Sequence, residues 1–110
     1  MLDNVTIKGL NVVSYSGDQD RKIMFAPAVI TFGTATIKNT TITGTKLSSY
    51  DDAYLYEEGY TDANGWTYQL TDLAAVNHSN TTIENSEVGK IWLWAKAKMT
   101  IVNSKVNEIP

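Results

Sequence analysis

The chain has 110 residues, a formal net charge of −3, 43% hydrophobic residues, two prolines and no cysteine. That length suits one domain with a modest core, and the missing cysteines exclude a disulfide framework and a thiolate metal site. A negative balance with no long basic tract argues against nucleic acid as the partner.

In chain order, the first recognisable element spans residues 6–12. It is one of four copies of Thr-Ile-x-(Asn/Gly)-x-x-apolar, the others being 36–42, 82–88 and 100–106. In residues 35–38 the alternation has the period of a strand, with Ile37 on one face and Thr36 and Lys38 on the other. Asn39 interrupts it, and Asn tolerates the left-handed conformation better than other non-glycine residues. Gly9 takes that place in the first copy. Ile42 then points inward from a second short strand, as do Ile83 and Val88 around Asn85, and Ile101 and Val106 around Asn103. The equivalent Asn side chains are expected to stack as a ladder. Between the first two copies, Gly17-Asp18-Gln19-Asp20 reads as turn chemistry.

The copies begin at 6, 36, 82 and 100, in steps of 30, 46 and 18 residues. Unequal steps suit a solenoid in which a constant rung carries loops of variable length. Residues 82–91 and 100–109 (TIENSEVGKI and TIVNSKVNEI) share Thr, Ile, Asn, Ser, Val and Ile in register, so their strands are expected to pair in parallel. These units, (V/A/M)-T-I-x-N-S/T-x-V/I, resemble coils of the right-handed parallel β-helix, the pectin-lyase-like fold of polysaccharide lyases, phage tailspikes and many bacterial surface proteins. The resemblance covers residues 2–12, 29–47 and 80–109 and speaks to fold class. In that family Asn in the left-handed conformation is common at bends, which Asn39, Asn85 and Asn103 resemble. The enzyme members' carboxylate, Arg and Lys motifs find no match here, so the resemblance implies a scaffold and does not carry over an activity.

Residues 48–79 break the pattern. They hold Asp51, Asp52, Glu57, Glu58, Asp62 and Asp72 without a basic residue, a charge of −6 against +3 for the remainder. They also hold Tyr50, Tyr54, Tyr56, Tyr60, Trp66 and Tyr68. Asn64-Gly65 is a strong hairpin signal, because a type I′ turn needs positive φ at both central residues. Residues 53–60 and 66–70 are therefore read as strands of a protruding hairpin, and 73–76 as a short helical turn. Aromatic faces beside carboxylates suit sugar binding, which nominates Tyr54, Tyr56, Tyr60, Trp66 and Tyr68. The competing reading is that these rings pack the hairpin against the scaffold.

Trp92-Leu93-Trp94 lies between the last two copies, flanked by Lys90, Lys96 and Lys98. As a strand it would put Trp92, Trp94, Lys96 and Lys98 on one side and Ile91, Leu93, Ala95 and Ala97 on the other. Trp92 and Trp94 then either stack on a sugar or are covered by the insertion, with its acids paired to these lysines.

Catalysis has little basis. Asp51-Asp52 and Glu57-Glu58 are adjacent pairs that point to opposite strand faces. His78 is the only histidine and has no second His or Cys for a zinc site. Asp62-x-Asn64-Gly65 lacks the later Glu of a calcium loop, and no phosphate loop or nucleophile elbow occurs. No cofactor or metal is expected. Asn-x-Ser/Thr sequons at Asn4, Asn39, Asn77 and Asn80 follow from 14 Thr and nine Asn; Thr itself suits the outward positions of strands.

The expectation is an all-β fold: a single β-solenoid domain over residues 1–110 with a β-hairpin insertion at 48–79, the alternative being a β-sandwich. No run of about 18 apolar residues and no leader at Met1-Leu2-Asp3 are visible, so no membrane span or signal peptide is expected. Copies close to both ends suggest a piece of a longer protein or a chain that associates end to end. The functional expectation is a non-catalytic, extracellular or cell-surface adhesion module contacting a polysaccharide or a surface protein. A fragment of a polysaccharide lyase or hydrolase, and a phage tailspike segment, are the alternatives.

Overall fold

The computed structural model describes residues 1–14, 17–18, 23–49, 55–56, 65 and 67–109. Among them there are strands and no helix. The described strands fall into four passes. The first supplies β1 (Leu2–Asp3), β2 (Thr6–Lys8), β3 (Asn11–Ser14), β4 (Gly17–Asp18), β5 (Ile23–Phe25) and β6 (Val29–Thr31). The second supplies β7 (Thr34–Lys38), β8 (Thr41–Thr43), β9 (Lys46–Ser49), β10 (Leu55–Tyr56), β11 (Thr67–Gln69) and β12 (Leu73–Ala75). The third has β13 (Asn80–Glu84) and β14 (Glu87–Leu93), and the fourth β15 (Lys98–Val102) and β16 (Lys105–Glu108).

Strands from successive passes pair in parallel, and the sheets are short and curled. One sheet runs β1-β7-β13-β15 and a second runs β2-β8-β14-β12-β6, with β16 also on β14. Thr36, Thr82 and Thr100 lie in one register row, as the matched copies require, and all three strands are parallel. An antiparallel sandwich has no such row. Ile37, Ile42, Leu73, Ile83, Val88 and Ile91 form the buried cluster between the sheets, each contributing on the order of 1.5–3 kcal/mol on leaving water. Ile101 belongs to the column Leu2-Ile37-Ile83-Ile101 but is 39% exposed, because no described strand covers the outer edge of β15.

The bends fall at Asn4, Asn39, Asn85 and Asn103, with φ of 61°, 52°, 48° and 47°. This corrects the register of the first copy. Thr6 pairs with Thr41, not with the Thr36 row, and Leu2 pairs with Ile37. In the first two passes the chain bends again at Gly9 and Gly44 (φ 66° and 69°). Asn or Gly satisfies either bend, so a short motif fits at both. The expected Asn ladder exists at one step, where Asn103 Nδ2 donates to Asn85 Oδ1 at 2.6 Å; Asn39 Nδ2 instead donates to Asp3 Oδ1 at 3.1 Å.

A hydroxyl ladder runs beside it. Thr40 N donates to Ser86 Oγ at 3.1 Å and Ser86 N to Ser104 Oγ at 3.0 Å, while Val5 N reaches Thr40 Oγ1 at 3.4 Å. Each hydroxyl returns its proton to a carbonyl two residues earlier in its own chain segment, Lys38, Glu84 and Val102 respectively. Backbone groups freed at the bend are thereby satisfied within the fold. Opposite charges also meet across adjacent strands: Lys38 with Asp3 at 4.0 Å, Lys90 with Glu108 at 3.6 Å, Lys105 with Glu87 at 3.9 Å.

Residues 73–76 are not a helical turn. Leu73–Ala75 is a fully buried strand paired on both sides, with β6 and β14, and three consecutive buried residues carry no alternation to reveal a strand. The two described pieces of the expected hairpin pair elsewhere: β10 runs antiparallel to β9, and β11 parallel to β5. The remainder of that hairpin, including the Asn64-Gly65 turn, is not described beyond Gly65 itself.

Candidate functional site

Register shows where the long segments leave the paired strands. Val88 and Ile91 of β14 are separated by Gly89 and Lys90, while their partners Ile42 and Leu73 are separated by residues 43–72. At the neck of that excursion sits Asp72, counted in the sequence among the acids of the insertion but buried in the structure. Its Oδ1 accepts Thr45 N at 3.0 Å and Thr45 Oγ1 at 2.6 Å, and its Oδ2 accepts Lys90 N at 2.8 Å. One carboxylate therefore ties the outgoing chain, the returning chain and the next pass. The strand beneath must be glycine there, because a Cβ on Gly89 would collide with Asp72 Oδ2.

The exposed aromatic residues among those described, Phe32 and Trp94, follow directly on β6 and β14, which flank β12. The inward residues of these three strands are Val29 and Thr31, Leu73 and Ala75, and Ile91, with Thr31 Oγ1 hydrogen-bonded to Thr81 Oγ1 at 2.8 Å across the interior. Their outward register row is Ile30-Ala74-Trp92. Two residues on, Val76 N bonds Thr31 O and Trp94 N bonds Ala75 O, which aligns Phe32, Val76 and Trp94 as a second row. Ile30, Phe32 and Trp94 are 48%, 61% and 46% exposed. Trp92 is half-buried, and its ring centroid lies 6.5 Å from that of Trp94 at 52°. Phe32 and Trp94 stand two strands apart, roughly 9–10 Å. The result is an outward apolar face about three strands wide.

The strand expected through residue 97 ends at Leu93. Ala95 and Lys96 have φ of 53° and 61°, and Ala97 N bonds Trp94 O at 3.3 Å, which makes 94–97 a type I′ turn. Leu93 and Ala95, expected inside, are exposed in consequence. Asn77 and His78 form the same turn one pass earlier, and His78 N bonds Ala95 O at 2.9 Å, so the two turns stack. His78, Lys96 and Lys98 are exposed beside the aromatic face. Among the described residues no group of three His, Cys, Asp or Glu side chains is placed to hold a metal ion, and no helix is long and apolar enough to cross a membrane.

Of the nominated residues, Trp92 and Trp94 are brought together. Tyr54, Tyr60 and Trp66 lie outside the described residues; Tyr56 in β10 and Tyr68 in β11 are described in backbone alone. Phe32, Ile30 and Val76 went unnoticed in the sequence because nothing local distinguishes them; only the register with Trp92 and Trp94 gathers them. Comparison of the chain with protein-family profiles, curated proteins and solved structures finds no match.

Proposed function

We propose that this chain is a module of the parallel β-helix type, non-catalytic and displayed outside the cell or at its surface, which holds a glycan against the Phe32, Trp92 and Trp94 face. Support for the scaffold comes from parallel, in-register pairing across four passes. The observation that carries the binding reading is the exposure of Phe32 and Trp94, 61% and 46%, in one row on one outward face. Aromatic rings cover the apolar side of a pyranose, and the exposed Asn77, His78 and Lys96 beside them offer hydrogen bonds to hydroxyl groups. A contiguous exposed apolar face is a common mark of a binding surface.

A glycan array tests the reading, followed by titration of the best ligand against Phe32→Ala, Trp94→Ala and Trp66→Ala. Losing one stacked ring costs roughly 0.5–1.5 kcal/mol beyond lost area, so the first two variants are expected to bind several-fold to tenfold more weakly. No glycan bound, or binding indifferent to Phe32 and Trp94, refutes it.

A further inference from the structure

Among the described residues, the strands at the two ends of the main sheets keep one unpaired edge: β1, β2 and β6 of the first pass on one side, β15 and β16 of the last on the other. Because the described strand pairs between passes are all parallel, these two edges differ from each other and fit each other. Leu2 and Ile7 are five residues apart with the left-handed Asn4 between them; Ile101 and Val106 are five apart around the left-handed Asn103. One end is therefore shaped to receive the other.

We infer that a second copy of this chain docks head to tail, with its β1 and β2 on β15 and β16 of the first. Leu2 of the incoming copy then extends the column Leu2-Ile37-Ile83-Ile101, and its Ile7 extends Ile7-Ile42-Val88-Val106. Apolar surface is present on both sides. Ile101, Val102 and Ile109 are 39%, 49% and 45% exposed at one end, and at the other a recess of about 490 Å³ is lined in part by Met1, Leu2, Ile7, Val29 and Ile37. Charge fits this register too. Asp3 falls opposite Val102, Thr6 opposite Lys105 and Lys8 opposite Asn107, so no like charges sit directly opposite one another. Such a contact is heterologous and does not close on itself, so it continues into short filaments. It extends only the pairs that β1 and β2 make within the chain, two and three residues long, which marks it as weak and concentration-dependent.

The hydroxyl ladder supplies a test specific to this register. Within the chain each hydroxyl accepts an N–H from the preceding pass, as Thr40 Oγ1 does from Val5 N. Val5 has no hydroxyl to offer Ser104 N of the neighbouring copy. Val5→Thr restores the acceptor and is expected to tighten association about fivefold, the equivalent of one ordinary hydrogen bond. Val102 is exposed and faces Asp3 across the junction, so Val102→Asp is expected to weaken association and Val102→Lys to strengthen it. Sedimentation velocity over a concentration series reads all four proteins, with circular dichroism confirming that each is folded. A wild-type chain that stays monomeric up to millimolar concentration overturns the inference, and so do Val102→Asp and Val102→Lys proteins that associate equally.

Discussion

Gly89→Ala is expected to damage the fold although the backbone there needs no glycine. Gly89 lies within β14 and is absent from the residues with positive φ, so alanine meets no conformational penalty. In an open strand the exchange would stabilise by about 0.4–1 kcal/mol through the unfolded chain. Here the new methyl group strikes Asp72 Oδ2 and comes within 3.1 Å of Asp72 Cγ, so the carboxylate must move. Its bond to Lys90 N is lost first, at about 1.5–3 kcal/mol for a hydrogen bond to a charged group. If the group swings out entirely, both Thr45 bonds go as well, leaving buried donors at the neck. The net expectation is a loss of about 2–5 kcal/mol, a large part of a small domain's stability. Urea unfolding followed by tryptophan fluorescence measures it, and a double-mutant cycle isolates the cause. On an Asp72→Ala background the methyl group has no oxygen to strike, so Gly89→Ala becomes neutral or mildly stabilising there. Equal destabilisation in both backgrounds would place the damage elsewhere and refute the staple.

The turn at residues 94–97 holds Ala95 and Lys96 in the left-handed region, at roughly 1–2 kcal/mol per non-glycine residue. Ala95→Asn with Lys96→Gly supplies the residues a type I′ turn favours and is expected to recover about 1 kcal/mol, read calorimetrically as a rise in Tm of about 4–8 °C; an unchanged or lower Tm counts against the turn assignment. In the hydroxyl ladder Ser86 is buried and bonded on both sides, whereas Ser104 is half-buried. Ser86→Ala is expected to cost about 1–3 kcal/mol and Ser104→Ala less, and chemical denaturation giving the reverse order would contradict the ladder.

The repeated motif announced parallel, in-register strands because period and register are local properties: an apolar residue, a bend and a hydroxyl recur at fixed offsets in residues 82–91 and 100–109. It misplaced the first copy for an equally local reason. The first pass bends at Asn4 and again at Gly9, and Gly9 imitates the first of these bends while making the second. Asp72 was unreadable for the opposite reason. Its role depends on Thr45, 27 residues earlier, and Lys90, 18 later, and nothing in the sequence around Asp72 distinguishes it from Asp51, Asp52, Glu57, Glu58 and Asp62. Gly89 carries no mark either, since the group it avoids lies in another pass.

The interrupted stretches also explain where the aromatic face can form. Residues 43–72 bridge a gap that Gly89 and Lys90 bridge alone, and residues 8–28 span the corresponding gap between Ile7 and Val29. Both excursions return at the same place, into β6 and β12, so the sheet that receives them keeps its register however long they are. Ile30, Ala74 and Trp92 therefore stay aligned, and Phe32, Val76 and Trp94 after them, although 44 residues separate Phe32 from Val76 and 18 separate Val76 from Trp94. The Asp72 carboxylate is what holds the longer excursion closed at that point of return. Opening the neck with Asp72→Ala is thus expected to disturb the Trp92 and Trp94 environment as well as stability. An altered tryptophan emission maximum in the folded variant would show that the staple positions the face, and an unchanged one would show that the parallel sheet alone suffices.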